Sequence, residues 1–198
     1  MMKYIIMADG AGKRWNRYMG IDKHDITVEG ETLLRRTVRL LHEIDSGAQV
    51  IITSHDTTLD IPGARRHEPQ NNVLEIDRFT AELIGDDVCF LYGDVFYAED
   101  TLRLICQSSG GAVLTFGSEK SICAIKVFDG EAFRGCYLAV REAFLRGEIA
   151  ECKGWQVYHA YAQLPLEGRA IGAGFVNVGS VTRDFNCPED YDSFIKEK

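Results

Sequence analysis

No stretch of the 198 residues approaches the ~20 consecutive apolar residues of a membrane-spanning helix. The apolar stretch near the amino terminus follows a single Lys and ends at Asp9 and Gly10, too soon for the core of a signal peptide. A soluble, cytoplasmic protein with no membrane partner is expected. Clustered basic residues are missing as well: 22 Lys and Arg stand against 30 Asp and Glu, a net charge of −8, which argues against a nucleic acid partner. The six cysteines (Cys89, Cys106, Cys123, Cys136, Cys152, Cys187) form no C-x-x-C pair and no dense framework, so reduced thiols are expected. The histidines show no metal-ligand spacing, and no Ser/His/Asp or Cys/His arrangement for nucleophilic catalysis stands out. Linkers, repeats and low-complexity tracts are also lacking. What is there is ordinary globular composition, 45% hydrophobic and 26% charged. A chain of this length buries roughly 70% of its unfolded surface, enough for one domain spanning 1–198.

The pattern along the chain is α/β. Tyr4–Ala8 is a continuous apolar run, as in a strand buried on both faces of a parallel sheet. Residues 9 to 31 lack a helical period, and a loop of that length in a compact domain is usually functional. Thr32 to Ile44 places Leu33, Leu34, Val38, Leu41 and Ile44 at helical spacing. The alternation repeats with a strand at Gln49–Thr53, a helix expected from Asn72 to Ile84, and a strand at Val88–Tyr92 ending in Gly93-Asp94. Asp100 is the expected cap of a helix reaching Gln107. Three successive β-then-α units predict an open sheet covered by helices. The second half predicts an antiparallel hairpin (Ala112–Phe116 with Ile122–Phe128), a helix near Glu131–Arg146, strands near Gln156–Ala162 and Phe175–Val181, and a last helix from Pro188.

The segment Ala8-Asp9-Gly10-Ala11-Gly12-Lys13-Arg14 follows the first strand, where ligands of open α/β sheets collect. Its glycines let the backbone approach a phosphate, and its N–H groups can face the anion. The dinucleotide fingerprint fails at Trp15, which stands where a third Gly is needed, and a Walker loop fails at Met7 and Arg14. Arg14 offers instead a planar fork suited to a triphosphate.

Three ordered motifs carry a resemblance. Met7-Ala8-Asp9-Gly10-Ala11-Gly12-Lys13-Arg14, then Asp22-Lys23, then Val28-Glu29-Gly30-Glu31-Thr32-Leu33-Leu34, is similar to the opening signature of the nucleotidyltransferases. That superfamily includes MobA-like, sugar-phosphate and phosphocholine-type enzymes. Gly93-Asp94-Val95 resembles its G-D motif, and Asp184-Phe185-Asn186-Cys187-Pro188-Glu189-Asp190-Tyr191 its closing D-I-D-T-P-E-D-Y; the likeness runs from residue 3 to 194. It implies a three-layer GT-A-like (Rossmann-like) fold, with a mixed, mainly parallel sheet and helices on both faces. The implied activity moves a nucleoside monophosphate from an NTP to a phosphorylated small molecule, releasing pyrophosphate with the help of Mg²⁺.

The resemblance also implies roles. Arg14, Lys23 and Asp94 would be catalytic; Ala8, Asp9, Gly10, Ala11, Gly12, Lys13, Asn71 and Asn72 would bind the nucleotide. Asp94 would hold Mg²⁺, with Asn186 or Asp184 as the second oxygen ligand. In such a transfer the acceptor phosphate is already largely ionised near neutral pH, its second pKa being about 6, so no general base is demanded. Positioning and charge neutralisation suffice. Asp9, Asp22 and Asn186 depart from the family pattern, which leaves a catalytically impaired nucleotide-binding module as the rival. A MobA-type, GTP-using guanylyltransferase is the other alternative. The absence of a D-x-D motif sets a metal-dependent glycosyltransferase aside. Compactness resembles the MobA, phosphocholine and isoprenoid branches more than the large sugar-1-phosphate enzymes, and the Gly93–Tyr97 stretch, similar to phosphocholine-type cytidylyltransferases, favours CTP. The acceptor stays open between a sugar phosphate and a phospho-alcohol, and a homodimer stays open too.

Overall fold

A computed structural model describes residues 1–10, 14–21, 23–179 and 181–197. Strand β1 (Lys3–Met7) turns Tyr4 and Ile6 to one face and Ile5 and Met7 to the other, and all four are buried. That double burial makes it a central strand, as its unbroken apolar run predicts. The segment expected to lack structure contains two short 3₁₀ turns (Tyr18–Gly20 and Lys23–Asp25) and a small hairpin of β2 (Thr27–Val28) and β3 (Glu31–Thr32). Helix α1 (Leu33–Ile44) is capped by Thr32, whose side chain accepts from the Arg35 N–H at 3.4 Å.

Strands β4 (Gln49–Thr53), β5 (Ala64–His67) and β6 (Val88–Tyr92) follow, then β7 (Val95–Phe96) and α2 (Glu99–Gln107). The sequence reading missed β5, whose Ala-Arg-Arg-His lacks apolar alternation because it is the edge strand. After β8 (Val113–Gly117) and β9 (Ile122–Val127) come α3 (Gly130–Leu145), α4 (Gly154–Ala162), β10 (Phe175–Asn177), β11 (Arg183–Asp184) and α5 (Pro188–Glu197). The main sheet has the order β10-β8-β9-β6-β1-β4-β5, and β9 alone runs against the other six strands. Helices α1 and α2 share one core with Tyr4, Ile6 and Leu91; α3 and α4 share the opposite core with Ile5, Phe90 and Val127. The result is a three-layer, mainly parallel α/β domain. Among the described residues no helix is long and apolar enough to cross a membrane, and all six cysteines are free.

Several expected elements differ. Asn72 to Ile84 is not an α-helix but two 3₁₀ segments, Glu75–Phe79 and Ala81–Leu83. Asp77 takes the Val73 and Leu74 N–H groups onto its own carboxylate, and Thr80 sits at φ 50°, so the backbone is drawn away from α-helical pairing. The strand expected at Gln156–Ala162 is helix α4. Its aromatic residues suggested a strand, but Trp155 and Tyr158, three apart on one helical face, both pack on Phe175. They serve the core, as does Tyr161, whose hydroxyl accepts from the Ala112 and Val113 N–H groups. Asp100 does not cap α2: the cap position is Ala98, whose N–H donates to Thr182 at 3.0 Å. The strand expected to reach Val181 stops at Asn177.

The far end of α2 is held by an unusual side chain. Lys126, in β9 and 2% exposed, donates to the carbonyls of Ile105 (2.9 Å), Cys106 (2.7 Å) and Ser108 (2.8 Å), groups that a helix end leaves unpaired. Burial pulls its pKa below the ordinary lysine value.

Candidate active site

Because six strands run one way, the segments after β1, β4, β5, β6, β8 and β10 all emerge at the same rim of the sheet. The chain leaves β1 toward β4 on one side and later returns to β6 on the other, so a crevice opens between β1 and β6, where open α/β sheets bind ligands. Gly93 closes the distance there. Its N–H donates to the Met7 carbonyl at 3.0 Å, and a Cβ at Gly93 would stand 2.8 Å from that oxygen. Only glycine allows this approach, and it sets Asp94 above the end of β1.

A third, smaller core builds the rest. Trp15, Ile26, Val28, Leu33, Phe96, Phe185 and Phe194 are buried together beside the sheet. Trp15 carries Arg14, and its indole N–H donates to the Ile21 carbonyl at 3.0 Å. Phe185 lies between Asp184 and Asn186. Strand β11 pairs antiparallel with β7, Asp184 opposite Val95, and the Phe185 N–H donates to the Asp94 carbonyl at 3.0 Å. Residues 14, 23, 94, 184 and 186 are thus brought to one place by hydrophobic burial of their neighbours.

There they form a continuous network. The Lys23 ammonium is paired with Asp94 and lies 3.5 Å from the Asn186 amide oxygen. Arg14 Nη2 donates to that same oxygen at 3.0 Å, while the Asn186 amide nitrogen donates to Asp184. Two cations on the oxygen and a carboxylate on the nitrogen fix the orientation of the amide. Asp190, the third residue of α5, reaches back to accept from the Asn186 and Cys187 N–H groups at 2.8 and 2.9 Å, and the Asn186 side chain is left for the network. The Asp184 carboxyl is raised above its ordinary pKa, first by burial and then by the negative charge of Asp94. Two carboxylates and an amide oxygen are hard oxygen donors of the kind that Mg²⁺ takes together with substrate phosphates. No three His, Cys, Asp or Glu side chains among the described residues gather round a common point.

A second cluster stands on the same rim. Asp9, 11% exposed, accepts from the His55 N–H at 2.8 Å and is paired with His55 Nδ1 at 2.6 Å. Asn72 Nδ2 donates to its carboxylate at 2.6 Å and to its carbonyl at 3.0 Å. The carboxylate expected beside the nucleotide is therefore turned into a clamp. Ala8 continues the sheet through its N–H to Thr53 O at 3.1 Å. The Arg78 guanidinium lies against Gly10, 3.5 Å from where a Cβ would stand. Asn71 is exposed, with no side-chain hydrogen bond among the described residues. Ala11, Gly12, Lys13 and Asp22 lie outside the described residues. His55 and Arg78 escaped the sequence reading. The rim position after β4 is the signal that would have found His55, whereas Arg78 was hidden by the helix expected around it.

Beside Asp184 opens a cavity of about 840 Å³ whose charged lining is Lys120 and Arg183 against Glu119, Asp184, Glu189 and Asp190. Its size suits a small molecule.

At the level of sequence no family model and no curated protein matches the chain. Solved structures do. A Bacillus anthracis protein provisionally named a glucose-1-phosphate thymidylyltransferase superposes with a TM-score of 0.68 at 12% identity, over 100% of this chain and 95% of that one. The 4-diphosphocytidyl-2C-methyl-D-erythritol synthase of Anaerococcus prevotii gives 0.64 at 14% identity, over 100% and 95%. The CTP:phosphocholine cytidylyltransferase of Streptococcus pneumoniae gives 0.60 at 12% identity, over 100% and 99%. The fold is that of the NTP-dependent nucleotidyltransferases. The nucleotidyltransferase fold covers the whole chain, and the likeness at these identities is one of fold.

Proposed function

We propose that the protein transfers a nucleoside monophosphate from an NTP to a phosphorylated small molecule, with CTP as the favoured nucleotide. The observation that carries this reading is the joining of Arg14, Lys23, Asp94, Asn186 and Asp184 in one hydrogen-bonded network at the β1/β6 crevice. Arg14 and Lys23 supply positive charge for the triphosphate and the incoming phosphate oxygen. Asp94 holds Lys23 in place, and the Asn186 amide oxygen draws both cations together. The cavity beside Asp184 receives the acceptor, a sugar phosphate or phospho-alcohol.

In the transfer a phosphate oxygen of the acceptor bonds to the α-phosphorus, the bond from that phosphorus to the bridging oxygen breaks, and pyrophosphate leaves with the electron pair. No proton has to move. Asp94, with Asn186 or Asp184, would hold Mg²⁺, which supplies neutralisation of phosphate charge.

The test is pyrophosphate release from each of the four NTPs with Mg²⁺ and a panel of sugar phosphates and phospho-alcohols. Asp94→Ala is expected to lower it by roughly 10²–10³-fold, in line with loss of a group that stabilises transition-state charge, while circular dichroism stays that of the wild type. Nucleotide binding without turnover on any acceptor would point instead to a non-catalytic nucleotide-binding module.

A further inference from the structure

The Lys23 ammonium faces two oxygens at once, a carboxylate oxygen of Asp94 and the amide oxygen of Asn186. These are the oxygens that the proposed function offers to Mg²⁺, so an ion held by both would stand where the ammonium stands. Arg14 Nη2 is a second cation on the amide oxygen, at 3.0 Å. The amide is held in this orientation by its nitrogen, which donates to Asp184. The side chains of Lys23 and Asp94 are only 15% and 22% exposed, so solvent screens their pairing poorly. Counted formally, Arg14 and Lys23 balance Asp94 and Asp184. The network is therefore self-neutralised and is not an acidic cradle that gathers free divalent ions. Bare Mg²⁺ would bring further positive charge against an ammonium and a guanidinium. A metal–nucleotide complex is still an anion, and its phosphate oxygens offer both cations a new partner.

We propose that Lys23 is a place-holding cation: it occupies the metal's position at Asp94 and Asn186 until a phosphate draws it away, so the divalent ion enters with the nucleotide and not ahead of it. This rests on Asp94 and Asn186 being the metal ligands, as under the proposed function. It goes beyond that reading by giving Lys23 two mutually exclusive partners, the Asp94 carboxylate and a phosphate. Because linkage is reciprocal, an anion that takes Lys23 from Asp94 tightens the metal by the factor by which the metal tightens the anion.

Mn²⁺ titration without nucleotide, read by the paramagnetic resonance signal of the free ion, tests the proposal. Lys23→Met, which keeps the length of the side chain and removes its charge, is expected to bind Mn²⁺ at least about tenfold more tightly than the wild type. Lys23→Arg, which keeps the charge, should bind as weakly as the wild type, and adding Asp94→Ala to Lys23→Met should abolish the gain. A purely structural lysine would not produce that pattern. A readout on the wild type covers the case in which Lys23→Met fails to fold: saturating Mg²⁺ should speed reductive methylation of Lys23 severalfold, followed by mass spectrometry, and leave exposed Lys3 unchanged. Mn²⁺ binding that depends on Asp94 but is the same within about twofold in wild type and Lys23→Met overturns the inference alone, as does Lys23 methylation indifferent to Mg²⁺. Absence of any Asp94-dependent Mn²⁺ binding in both proteins overturns the proposed metal site with it.

Discussion

Asp77→Asn is the most informative change to make outside the rim, because the turn between Asn72 and Arg78 depends on one buried carboxylate. Asp77 is 1% exposed and accepts four bonds: on Oδ2 from the N–H groups of Val73 (3.2 Å) and Leu74 (2.8 Å), and on Oδ1 from the Tyr137 hydroxyl (3.0 Å) and Arg141 Nε (3.2 Å). An amide fills the same space but has one acceptor oxygen. Placed toward Tyr137, its NH₂ can donate to the rotated hydroxyl, yet it then faces the Arg141 donor. The loss is one charge-assisted bond, about 1.5–3 kcal/mol, together with the ion pair itself. Arg141 is 29% exposed and partly rehydrates, so the pair adds less than the several kcal/mol of a fully buried one. A total of about 2–4 kcal/mol is expected. Burial by itself would raise the Asp77 pKa, but the bonds from Leu74, Tyr137 and Arg141 and the Arg141 charge outweigh it, so the folded value lies below the ordinary 3.8. A depressed carboxyl stabilises the fold fully above the unfolded pKa and loses that contribution as pH falls through the folded one. Urea unfolding of both proteins should therefore show the full gap at pH 7 and a smaller one near pH 3. A gap under 0.5 kcal/mol at pH 7, or an equal gap at both pH values, would refute the reasoning.

Lys126→Met should cost about 2–3 kcal/mol: one deeply buried carbonyl, that of Ile105, loses its donor, while the outer carbonyls of Cys106 and Ser108 regain water. Chemical denaturation measures it, and amide exchange should rise first at the end of α2. Gly93→Ala should destabilise by about 1–3 kcal/mol, because the new methyl meets the Met7 carbonyl and must push β6 from β1. It should also lower pyrophosphate release more than the stability loss explains, since Asp94 moves with it; assay below the melting transition separates the two effects.

The periodicity of the sequence by itself determined the layered α/β architecture, because strands buried on both faces and amphipathic helices write their burial directly into residue order: Tyr4–Met7, Val88–Tyr92 and Leu33–Ile44 fold as their patterns predict. The ordered motifs that carry the family resemblance also singled out Arg14, Lys23, Asp94, Asp184 and Asn186. Only the tertiary structure decided that these five meet. Their meeting depends on Trp15, Phe96 and Phe185 sharing a core and on β11 finding β7, contacts between residues far apart in the chain that no local window contains. Tertiary packing likewise turned the aromatic Gly154–Ala162 segment into a helix against Phe175, and let Asp77 unwind an expected one. It also spent the Asp9 carboxylate on His55 and Asn72, because a charge that is only 11% exposed is retained where donors from neighbouring segments surround it.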